Sequence, residues 1–146
     1  KTLIVVGSEG GLVALCLRGD HELNPLKAER LPGVAKPLQM AAPERVLAEL
    51  GAPVGSLGPV GLNIPLHADH SALAMADFVC GANAADTHLS GVNWQRDLPE
   101  PAAHDLRNVQ AGDQSPGGGG ALAIARSRQE NKLGWAERRR PRKPSK

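Results

Sequence analysis

The sequence predicts an α+β domain in which one curved sheet of short strands carries two or three short helices. Aliphatic runs bounded by glycine, proline and aspartate predict the strands, and two segments with helix-start and helix-stop residues predict the helices. Of the 146 residues, 41% are hydrophobic but only 2% are aromatic, so the core must be built from Leu, Val, Ile and Ala. A chain of this length buries roughly two-thirds of its unfolded surface, which is enough for one packed core.

The chain opens on a predicted β-hairpin. Residues 1–6 (KTLIVV) and 12–17 (LVALCL) are aliphatic and partly β-branched, and the glycine-rich turn GSEGG lies between them. Two such runs joined by a short glycine-containing turn are typical of antiparallel neighbours. We therefore expect the first two strands to pair with each other.

Two helices are predicted next. Asn24 followed by Pro25 is a favourable start, because asparagine caps free N–H groups and proline suits the first helical position. This helix should run to about Leu31. Residues 43–50 (PERVLAEL) begin at a proline, place three aliphatic side chains on one face and stop at Gly51.

The rest of the chain is predicted to hold short strands separated by loops. Strands are expected at 64–68, 88–94 and 121–125. Residues 73–79 are apolar and ambiguous between helix and strand. From Asp97 to Gly120 we expect a loop, because DQSPGGGG at 113–120 is flexible and turn-forming.

The charge is unevenly distributed along the chain. Residues 1–125 hold 8 Lys/Arg against 13 Asp/Glu, a net charge of −5, whereas residues 126–146 hold 9 against 2, a net charge of +7. We therefore divide the chain into a domain at 1–125 and a basic tail at 126–146. The tail is polar and punctuated by proline, which favours disorder, although its charge also suits an anionic partner.

Composition excludes several classes of function. Three aromatic rings are too few for the stacking platforms of single-strand-binding proteins. No apolar run approaches the ~18 residues of a membrane span, and no signal peptide is visible. Cys16 and Cys80 have neither metal-ligand nor disulfide-framework spacing, so we expect buried, reduced thiols and a cytoplasmic location. Because the sequence begins with Lys rather than Met, we expect it to be cut from a longer protein.

Six blocks occur in order along residues 1–125. They are KTLIVV at 1–6, LRGDHELNPLKAERLP at 17–32, GSLGPVGLNIP at 55–65, MADFVCGAN at 75–83, HLSGVNWQRD at 88–97 and DLRNVQAGDQSP at 105–116. In order and spacing they resemble the editing domain inserted in bacterial-type prolyl-tRNA synthetases. That family belongs to the YbaK-like aminoacyl-tRNA deacylase superfamily, which also contains free-standing trans-editing enzymes. The resemblance implies a mixed, mostly antiparallel barrel-like β-sheet with flanking short helices.

The resemblance also implies an activity and partners. It predicts an aminoacyl-tRNA deacylase that removes alanine wrongly attached to tRNA(Pro), so the partners would be that alanylated acceptor end and the rest of a prolyl-tRNA synthetase. Editing in cis and editing in trans are both compatible with the sequence. No metal ion or cofactor is implied, and the substrate's own 2′-hydroxyl would help to activate water. Because the class II synthetase motifs are absent from this sequence, we do not expect it to charge tRNA by itself.

Matching the family's motifs to this sequence assigns candidate site residues. The family's lysine, its GxxxP substrate loop, its aspartate, its histidine and its threonine fall on Lys27, residues 55–59, Asp77, His88 and Thr2. The predicted catalytic residues are Lys27, Gly55, Gly58 and Pro59. The predicted substrate-binding residues are Thr2, Ser56, Leu57, Ile64, Asp77 and His88.

These residue types suit ester hydrolysis, which needs a positioned water and hydrogen-bond donors for the developing oxyanion more than a strong nucleophile. Glycines at 55 and 58 allow backbone N–H groups of the loop to approach a carbonyl closely. Lys27 would bind a phosphate or an ester oxygen, Asp77 the α-ammonium group, and Thr2 would hydrogen-bond near the substrate. We expect Lys27 and the loop to lie together around the acylated 3′ end.

Specificity requires a second, smaller pocket. A proline site cannot firmly reject the smaller alanine, because one methylene is worth only ~1–3 kcal/mol. A pocket that admits alanine and excludes proline corrects the error. We expect its walls to come from the region of Leu57, Ile64 and His88.

Two other site chemistries compete with this interpretation. His67 and His70 resemble a metal-ligand pair, but the sequence offers them no convincing further ligands. Ser56, His88 and Asp77 could form a nucleophilic triad, although no GxSxG elbow supports it.

The domain could also be a non-catalytic module that binds aminoacyl-tRNA or a synthetase. The segment DQSPG at 113–117 lacks the aspartate that the family usually has after the proline, and THLSG at 87–91 replaces a more basic stretch. Residues 126–146 do not resemble the continuation into the synthetase core. The argument against a domain that has lost its activity is the retention of Lys27, Gly55, Pro59, Asp77 and His88.

Overall fold

The structure, a computed structural model, describes residues 1–113, 122–124 and 130–132. The chain divides into two units, Lys1–Arg107 and Asn108–Lys146. In the first unit the elements are β1 Thr2–Val6, β2 Leu12–Cys16, α1 Pro25–Ala28, α2 Pro43–Leu50, β3 Leu66–Asp69, α3 His70–Leu73, β4 Phe78–Gly81, β5 His88–Val92 and β6 Ala102–His104. In the second unit, β7 Leu122–Ile124 pairs antiparallel with β8 Glu130–Lys132.

Four strands of the first unit form one sheet in the order β1-β2-β3-β6. β1 and β2 form the predicted hairpin, in which Thr2 lies opposite Cys16 and Val6 opposite Leu12. β3 runs parallel to β2, and β6 runs parallel to β3. β4 and β5 pair antiparallel as a separate two-stranded ladder. Among the described strands antiparallel pairs outnumber parallel ones, and the predicted mixed, mostly antiparallel α+β class with a few short helices is confirmed.

The two predicted helices are present. Helix α2 has the predicted bounds and ends where Gly51 takes a left-handed φ of 74°. Helix α1 is capped as predicted, because Asn24 Oδ1 accepts from the Lys27 N–H at 3.2 Å. It ends at Ala28 rather than Leu31, since the N–H groups of Arg30 and Leu31 bond to the carbonyls three residues back and so tighten the last turn.

The later predictions hold with shifted boundaries. β3, β5 and β7 lie within or next to the three predicted strands. The ambiguous segment 73–79 holds the end of α3 and the start of β4. The prediction of a loop from Asp97 to Gly120 missed β6, a three-residue strand of small side chains that is paired only through the distant β3. Apart from β8, the basic tail lies outside the described residues, so its predicted disorder stays a prediction.

The core is aliphatic, as predicted, and covers both faces of the hairpin. Alternate residues of a strand point to opposite faces. One cluster therefore holds Val5, Val13, Leu15, Leu17, Ala28, Leu31, Val34 and Leu106. The other holds Ile4, Leu12, Ala14, Ala41, Val46, Ala52 and Leu57. A third cluster, in which the rings of Phe78 and Trp94 lie 5.1 Å apart, supports the β4–β5 hairpin.

A buried carboxylate fixes the end of β3. Asp69 is 2% exposed and accepts hydrogen bonds from the N–H and hydroxyl groups of Ser71 and from the Leu106 N–H at 2.8 Å. Burial alone would raise the pKa of Asp69, but these hydrogen bonds outweigh it and hold the pKa below its usual value. The carboxylate thus joins β3, α3 and the segment that follows β6.

A histidine pair joins β3 to β6. His67 Nε2 lies 3.3 Å from the Pro32 carbonyl, and His67 Nδ1 lies 3.1 Å from His104 Nε2. Because a carbonyl only accepts, His67 carries its proton on Nε2, and its Nδ1 accepts from His104. Burial, and then the neighbouring His104, lower the pKa of His67, although the bond to Pro32 opposes them.

We expect the free energy of unfolding to fall as the pH drops from 7 to 5. The folded protein holds the pKa of His67 below its unfolded value of 6.5, so it favours the neutral ring. The stability gained is present above pH 6.5 and is lost as the pH falls through the folded pKa. Urea unfolding at the two pH values measures the loss, and His67→Asn should reduce it. An equal loss in both proteins would contradict the assignment to His67.

Among the described residues, no helix has the length and apolar character that crossing a membrane would require.

Candidate functional site

The first unit contains an open cleft of about 360 Å³, called here the main cleft. It lies between the start of β1, the loop at 55–57 and the β4–β5 hairpin. Four predicted site residues line it: Thr2, Gly55, Leu57 and His88. The other lining residues are Lys1, Leu3, Ile4, Met40, Ala41, Val54, Val79, Cys80 and Gly81.

The loop at 55–57 is shaped by a β-turn. The Ser56 N–H donates to the Pro53 carbonyl at 3.1 Å, and Gly55, the third residue of this turn, has a φ of +94°. This φ is the one that a glycine adopts without strain at the third position of a type II turn. The glycine at 55 is therefore needed for the shape of the loop that lines the main cleft.

The loop presents two unpaired backbone donors. The N–H groups of Ser56 and Gly58 are occupied, by the Pro53 carbonyl and by Asn83 Oδ1 respectively. For the N–H groups of Gly55 and Leu57, the described part of the chain offers no acceptor. Both of these residues line the main cleft, and the Leu57 side chain is held in the core. We expected the backbone N–H groups of residues 55–58 to be available as donors. Within the described residues, those of Gly55 and Leu57 are unpaired.

His88 borders the main cleft from the β4–β5 hairpin. It is the first residue of β5 and lies opposite Gly81 in the ladder. Because Gly81 has no side chain, the backbone of Ser56 and Leu57 packs directly against it, which brings the loop beside the strand that carries the exposed imidazole. The pairing explains how an exposed histidine on a short strand borders a cavity.

The two cysteines are free thiols near this cleft, but neither is an activated nucleophile. Thr2 Oγ1 lies 3.5 Å from the sulfur of Cys16, and Cys80 lines the main cleft. Burial raises the pKa of Cys16 to about 11, and burial also raises the pKa of Cys80. Both therefore stay protonated at neutral pH, when the thiolate would be the reactive form.

Lys27 makes its contacts elsewhere and is not among the residues that line the main cleft. Its Nζ lies 2.8 and 2.7 Å from the two carboxylate oxygens of Asp105 and 2.8 Å from the Arg107 carbonyl. These three contacts use all the donors of an ammonium group. The structure thus does not bring Lys27 into the main cleft beside the loop, and its contact with substrate stays a prediction.

Asp77 also forms its bonds outside the main cleft. The residue has a left-handed φ of 48°, and its N–H donates to Asn93 Oδ1 at 3.0 Å. Asn93 Nδ2 donates back to the Asp77 carboxylate at 2.7 Å. This reciprocal pair shapes the bend before β4, so binding of an α-ammonium group by Asp77 likewise stays a prediction.

The remaining predicted residues support the loop rather than line the main cleft. Ser56 and Gly58 are buried within the loop, and Ile64 packs against the core cluster that holds Leu57. Pro59 lines a smaller neighbouring cleft of about 100 Å³, which is also bordered by Thr2, Phe78 and Trp94. Ile64 does not line the main cleft, whereas Val79 and Cys80 do, so a pocket wall at Ile64 stays a prediction.

The competing metal site and triad find no support in these contacts. His67 bonds to His104 rather than His70, and within the described residues no three His, Cys, Asp or Glu side chains are grouped to hold a metal ion. The Ser56 hydroxyl accepts from the Asp86 N–H at 3.1 Å, whereas Asp77 pairs with Asn93. The three proposed triad members thus do not form a chain of hydrogen bonds.

Sequence reasoning missed Gly81 and Asn83, which fasten the loop to the β4–β5 hairpin. A Cβ on Gly58 would lie 1.9 Å from the Gly81 carbonyl oxygen, and one on Gly81 would lie 2.3 Å from the Ser56 carbonyl oxygen. The backbones therefore touch without side chains between them. Both residues lie in the block MADFVCGAN. Only the aspartate of that block was predicted to be a site residue, because it is the one charged residue there.

The main cleft suits an anionic substrate better than the acidic domain as a whole. Its lining contains Lys1 and His88 but no aspartate or glutamate. Residues 1–125 by contrast hold 13 Asp/Glu against 8 Lys/Arg. The residues that line the opening thus add no negative charge that would repel a polyanion.

The fold is that of a small mixed α+β domain, and its main cleft is lined by the loop at 55–57 and by a cysteine that is not an activated nucleophile. The family described as the aminoacyl-tRNA editing domain matches residues 1–98. The chain belongs to this family, whose members act as aminoacyl-tRNA deacylases.

Solved structures agree with this assignment. One similar chain is described as a proposed trans-editing enzyme for prolyl tRNA synthetase; it is 27% identical, with 75% of this chain and 69% of that chain covered and a TM-score of 0.63. A hypothetical protein is 30% identical, with coverages of 74% and 73% and a TM-score of 0.60. A chain from work on epitope backbone grafting onto scaffold proteins is 26% identical, with coverages of 75% and 73% and a TM-score of 0.64.

Proposed function

We propose that this domain hydrolyses alanine from mischarged tRNA(Pro) in the cytoplasm, as part of a prolyl-tRNA synthetase or as a trans-acting relative of its editing domain. The observation that carries the proposal is the main cleft, where the unpaired N–H groups of Gly55 and Leu57 lie among residues that include Thr2 and His88. The likeness to a chain described as a proposed trans-editing enzyme for prolyl tRNA synthetase supports the choice of tRNA.

The two N–H groups would act on the ester carbonyl. As water attacks, negative charge develops on that oxygen, and donors already in place stabilise it without reorganisation. Removing one such donor typically costs about 10²–10³ in kcat. The lining of the main cleft contains no carboxylate, and the pKa of Cys80 is raised. Activation of water by the substrate's own 2′-hydroxyl therefore fits this cleft better than a carboxylate base or a thiolate nucleophile.

The walls of the main cleft suit a small amino-acid side chain. Val54 and Val79 provide apolar surface, and His88 borders the cavity from the opposite strand. An alanine methyl group needs little room, and the proposed discrimination against the larger proline ring would come from the residues that border its position. His88 is exposed and its side chain makes no hydrogen bond within the described residues, so it is the residue with which we expect size selection to change.

Lys27 and Asp77 keep the roles that the family resemblance gives them as proposals. Lys27 Nζ lies 2.7 Å from the Asp105 carboxylate. To bind a phosphate or an ester oxygen, it would have to break this contact and form one with the substrate instead. The tRNA end is more highly charged than one carboxylate, and Asp105 is more than half exposed, so this exchange is physically accessible.

A non-catalytic module that binds aminoacyl-tRNA is the second candidate, and one observation favours it. The lysine that the family resemblance makes catalytic is fully engaged with Asp105 and the Arg107 carbonyl. Such a module would bind tRNA and release no amino acid.

A deacylation assay with alanyl-, cysteinyl- and prolyl-tRNA(Pro) separates the candidates. We expect the full chain to hydrolyse alanyl-tRNA(Pro) at least about tenfold faster than prolyl-tRNA(Pro), given the discrimination that one size step allows. Gly55→Ala, which strains the turn, should lower kcat by at least about tenfold, since misplaced donors lose most of their effect. Gly61→Ala is the matched control, because Gly61 also has a positive φ with open space around it but does not line the main cleft.

Two results would count against the proposal. Binding of tRNA without any release of amino acid would support the non-catalytic module. Equal kcat values for Gly55→Ala and Gly61→Ala would remove the loop from the catalytic site.

A further inference from the structure

One side chain ties the loop at 55–59 to the β4–β5 hairpin. Asn83 lies in the connection after β4, and its Oδ1 accepts from the Gly58 N–H at 2.9 Å. Its Nδ2 donates to the Val60 carbonyl at 2.8 Å, and its backbone N–H donates to the Ser56 carbonyl at 3.0 Å. The residue thus holds the loop at three points that span Ser56 to Val60.

The chemistry of this position favours asparagine. The carboxamide carries an acceptor and a donor side by side, and the two bonds to a backbone N–H and a backbone carbonyl fix which atom is which. Asn83 also has a left-handed φ of 55°, which asparagine adopts more readily than most residues. A longer, branched or apolar side chain would fail at least one of these requirements.

The hydrogen bonds of Asn83 are important for the position of the loop, because the loop and the β4–β5 hairpin contact each other here through backbone atoms without side chains between them. Gly58 and Gly81 approach so closely that no side chain fits between them. The loop therefore has few side-chain contacts of its own on this side, and hydrogen bonds must set its position. The Asp86 N–H to the Ser56 hydroxyl, at 3.1 Å, is the one other bond from this connection to the loop among the described residues.

We propose that Asn83 is a positioning residue that holds the N–H groups of Gly55 and Leu57 at the main cleft. Its own amide does not line the cleft, so it acts through the loop. The bond to Gly58 occupies the N–H next to Leu57, so the donors that remain for a ligand are those of Gly55 and Leu57. The catalytic consequence rests on the proposed deacylase function, whereas the structural tie does not.

Asn83→Gly tests the proposal with a matched control in the same connection. Glycine keeps the positive φ and the backbone bond to Ser56 but removes both carboxamide bonds. Asp86→Gly is the control, because Asp86 also has a left-handed φ of 53°, is exposed, and its side chain makes no hydrogen bond within the described residues. Its backbone bond to Ser56 survives in glycine.

The first readout is structural and needs no substrate. Loss of one neutral hydrogen bond should speed amide exchange at Gly58 about fivefold in Asn83→Gly and leave it unchanged in Asp86→Gly. The second readout is the rate on alanyl-tRNA(Pro). A donor displaced by about 1 Å can lose ~10²-fold in rate, so kcat should fall by roughly that factor in Asn83→Gly while KM stays within about threefold. Asp86→Gly should stay within about twofold of wild type in both constants.

Asn83→Asp keeps the acceptor for Gly58 and serves as the conservative variant. It should restore exchange protection at Gly58 and bring kcat to within about tenfold of wild type, because one carboxylate oxygen still accepts from Gly58 although the other replaces the donor to Val60 and repels that carbonyl. If Asn83→Gly does not fold, Asn83→Asp alone tests the positioning role. A kcat within about tenfold of wild type with protection kept at Gly58 then supports the tie through Gly58, and a ~10²-fold loss with protection kept overturns it.

The outcomes separate the tie from the function. If the wild-type protein releases no amino acid, the proposed function is wrong. The amide-exchange experiment still tests whether Asn83 holds the loop. Faster exchange at Gly58 with unchanged kcat in Asn83→Gly overturns the positioning role but keeps the deacylase. Unchanged exchange in Asn83→Gly overturns the tie itself.

Discussion

Asp69→Ala is expected to destabilise the domain by about 3–5 kcal/mol, because it leaves buried donors without their charged acceptor. The carboxylate receives the N–H and hydroxyl of Ser71 and the N–H of Leu106, a residue with no exposed surface. A loss of this size is a large share of the stability of an ordinary domain. Urea unfolding followed by circular dichroism at pH 7 measures it.

Asp105→Ala is the control for this result. Asp105 is another aspartate of the same region, but its side chain is 58% exposed and it pairs with Lys27. An exposed ion pair contributes at most about 1 kcal/mol, so this variant should unfold close to wild type. Equal losses in the two variants would show that the hydrogen bonds of Asp69 are not specially important. Because the pKa of Asp69 is held below its usual 3.8, its contribution is complete at neutral pH and is lost as the pH falls below about 4.

His88→Ala is expected to change which aminoacyl-tRNA is hydrolysed. Removing the imidazole enlarges the main cleft beside Gly81, so the proline ring gains the space that alanine never needed. One size step in an apolar pocket is worth ~10–200-fold, and the rate on prolyl-tRNA(Pro) relative to alanyl-tRNA(Pro) should rise within that range. Ratios of kcat/KM for the two substrates measure the change directly.

His70→Ala is the matched control for the specificity change. His70 is exposed at the start of α3 and does not line the main cleft. Its loss should leave the ratio of the two substrates unchanged. If His88→Ala stays as selective for alanine as wild type, the amino-acid pocket is not bordered by His88, and the proposed geometry of the main cleft is wrong.

Local sequence chemistry predicted the elements that local interactions form. The β1–β2 hairpin follows from two aliphatic runs and a glycine turn, and α2 follows from a proline start and the left-handed Gly51. Strand β6 was not predictable in this way, because three small residues have no pattern of their own and pair only with the distant β3. Its existence depends on the tertiary structure.

The candidate site was likewise predictable from the sequence only in part. Family motifs selected Thr2, Gly55, Leu57 and His88, and the fold brings these four to one cleft although they lie far apart in the chain. The same motifs selected Lys27, whose Nζ instead meets a carboxylate 78 residues further along. Motif matching identifies residue types, whereas partner choice depends on which distant groups come within hydrogen-bonding reach.

The sequence by itself determined the family, the aliphatic core, the hairpin and the glycine–proline loop, because each depends on residues close together or on an ordered set of motifs. Only the tertiary structure decided which N–H groups of that loop are unpaired and which side chain fixes it. Asn83 meets Gly58 from 25 residues away, across a backbone contact that needs glycine on both sides. Such contacts leave no periodic pattern in a sequence, since hydrogen bonds between distant segments depend on distances that only the folded chain sets.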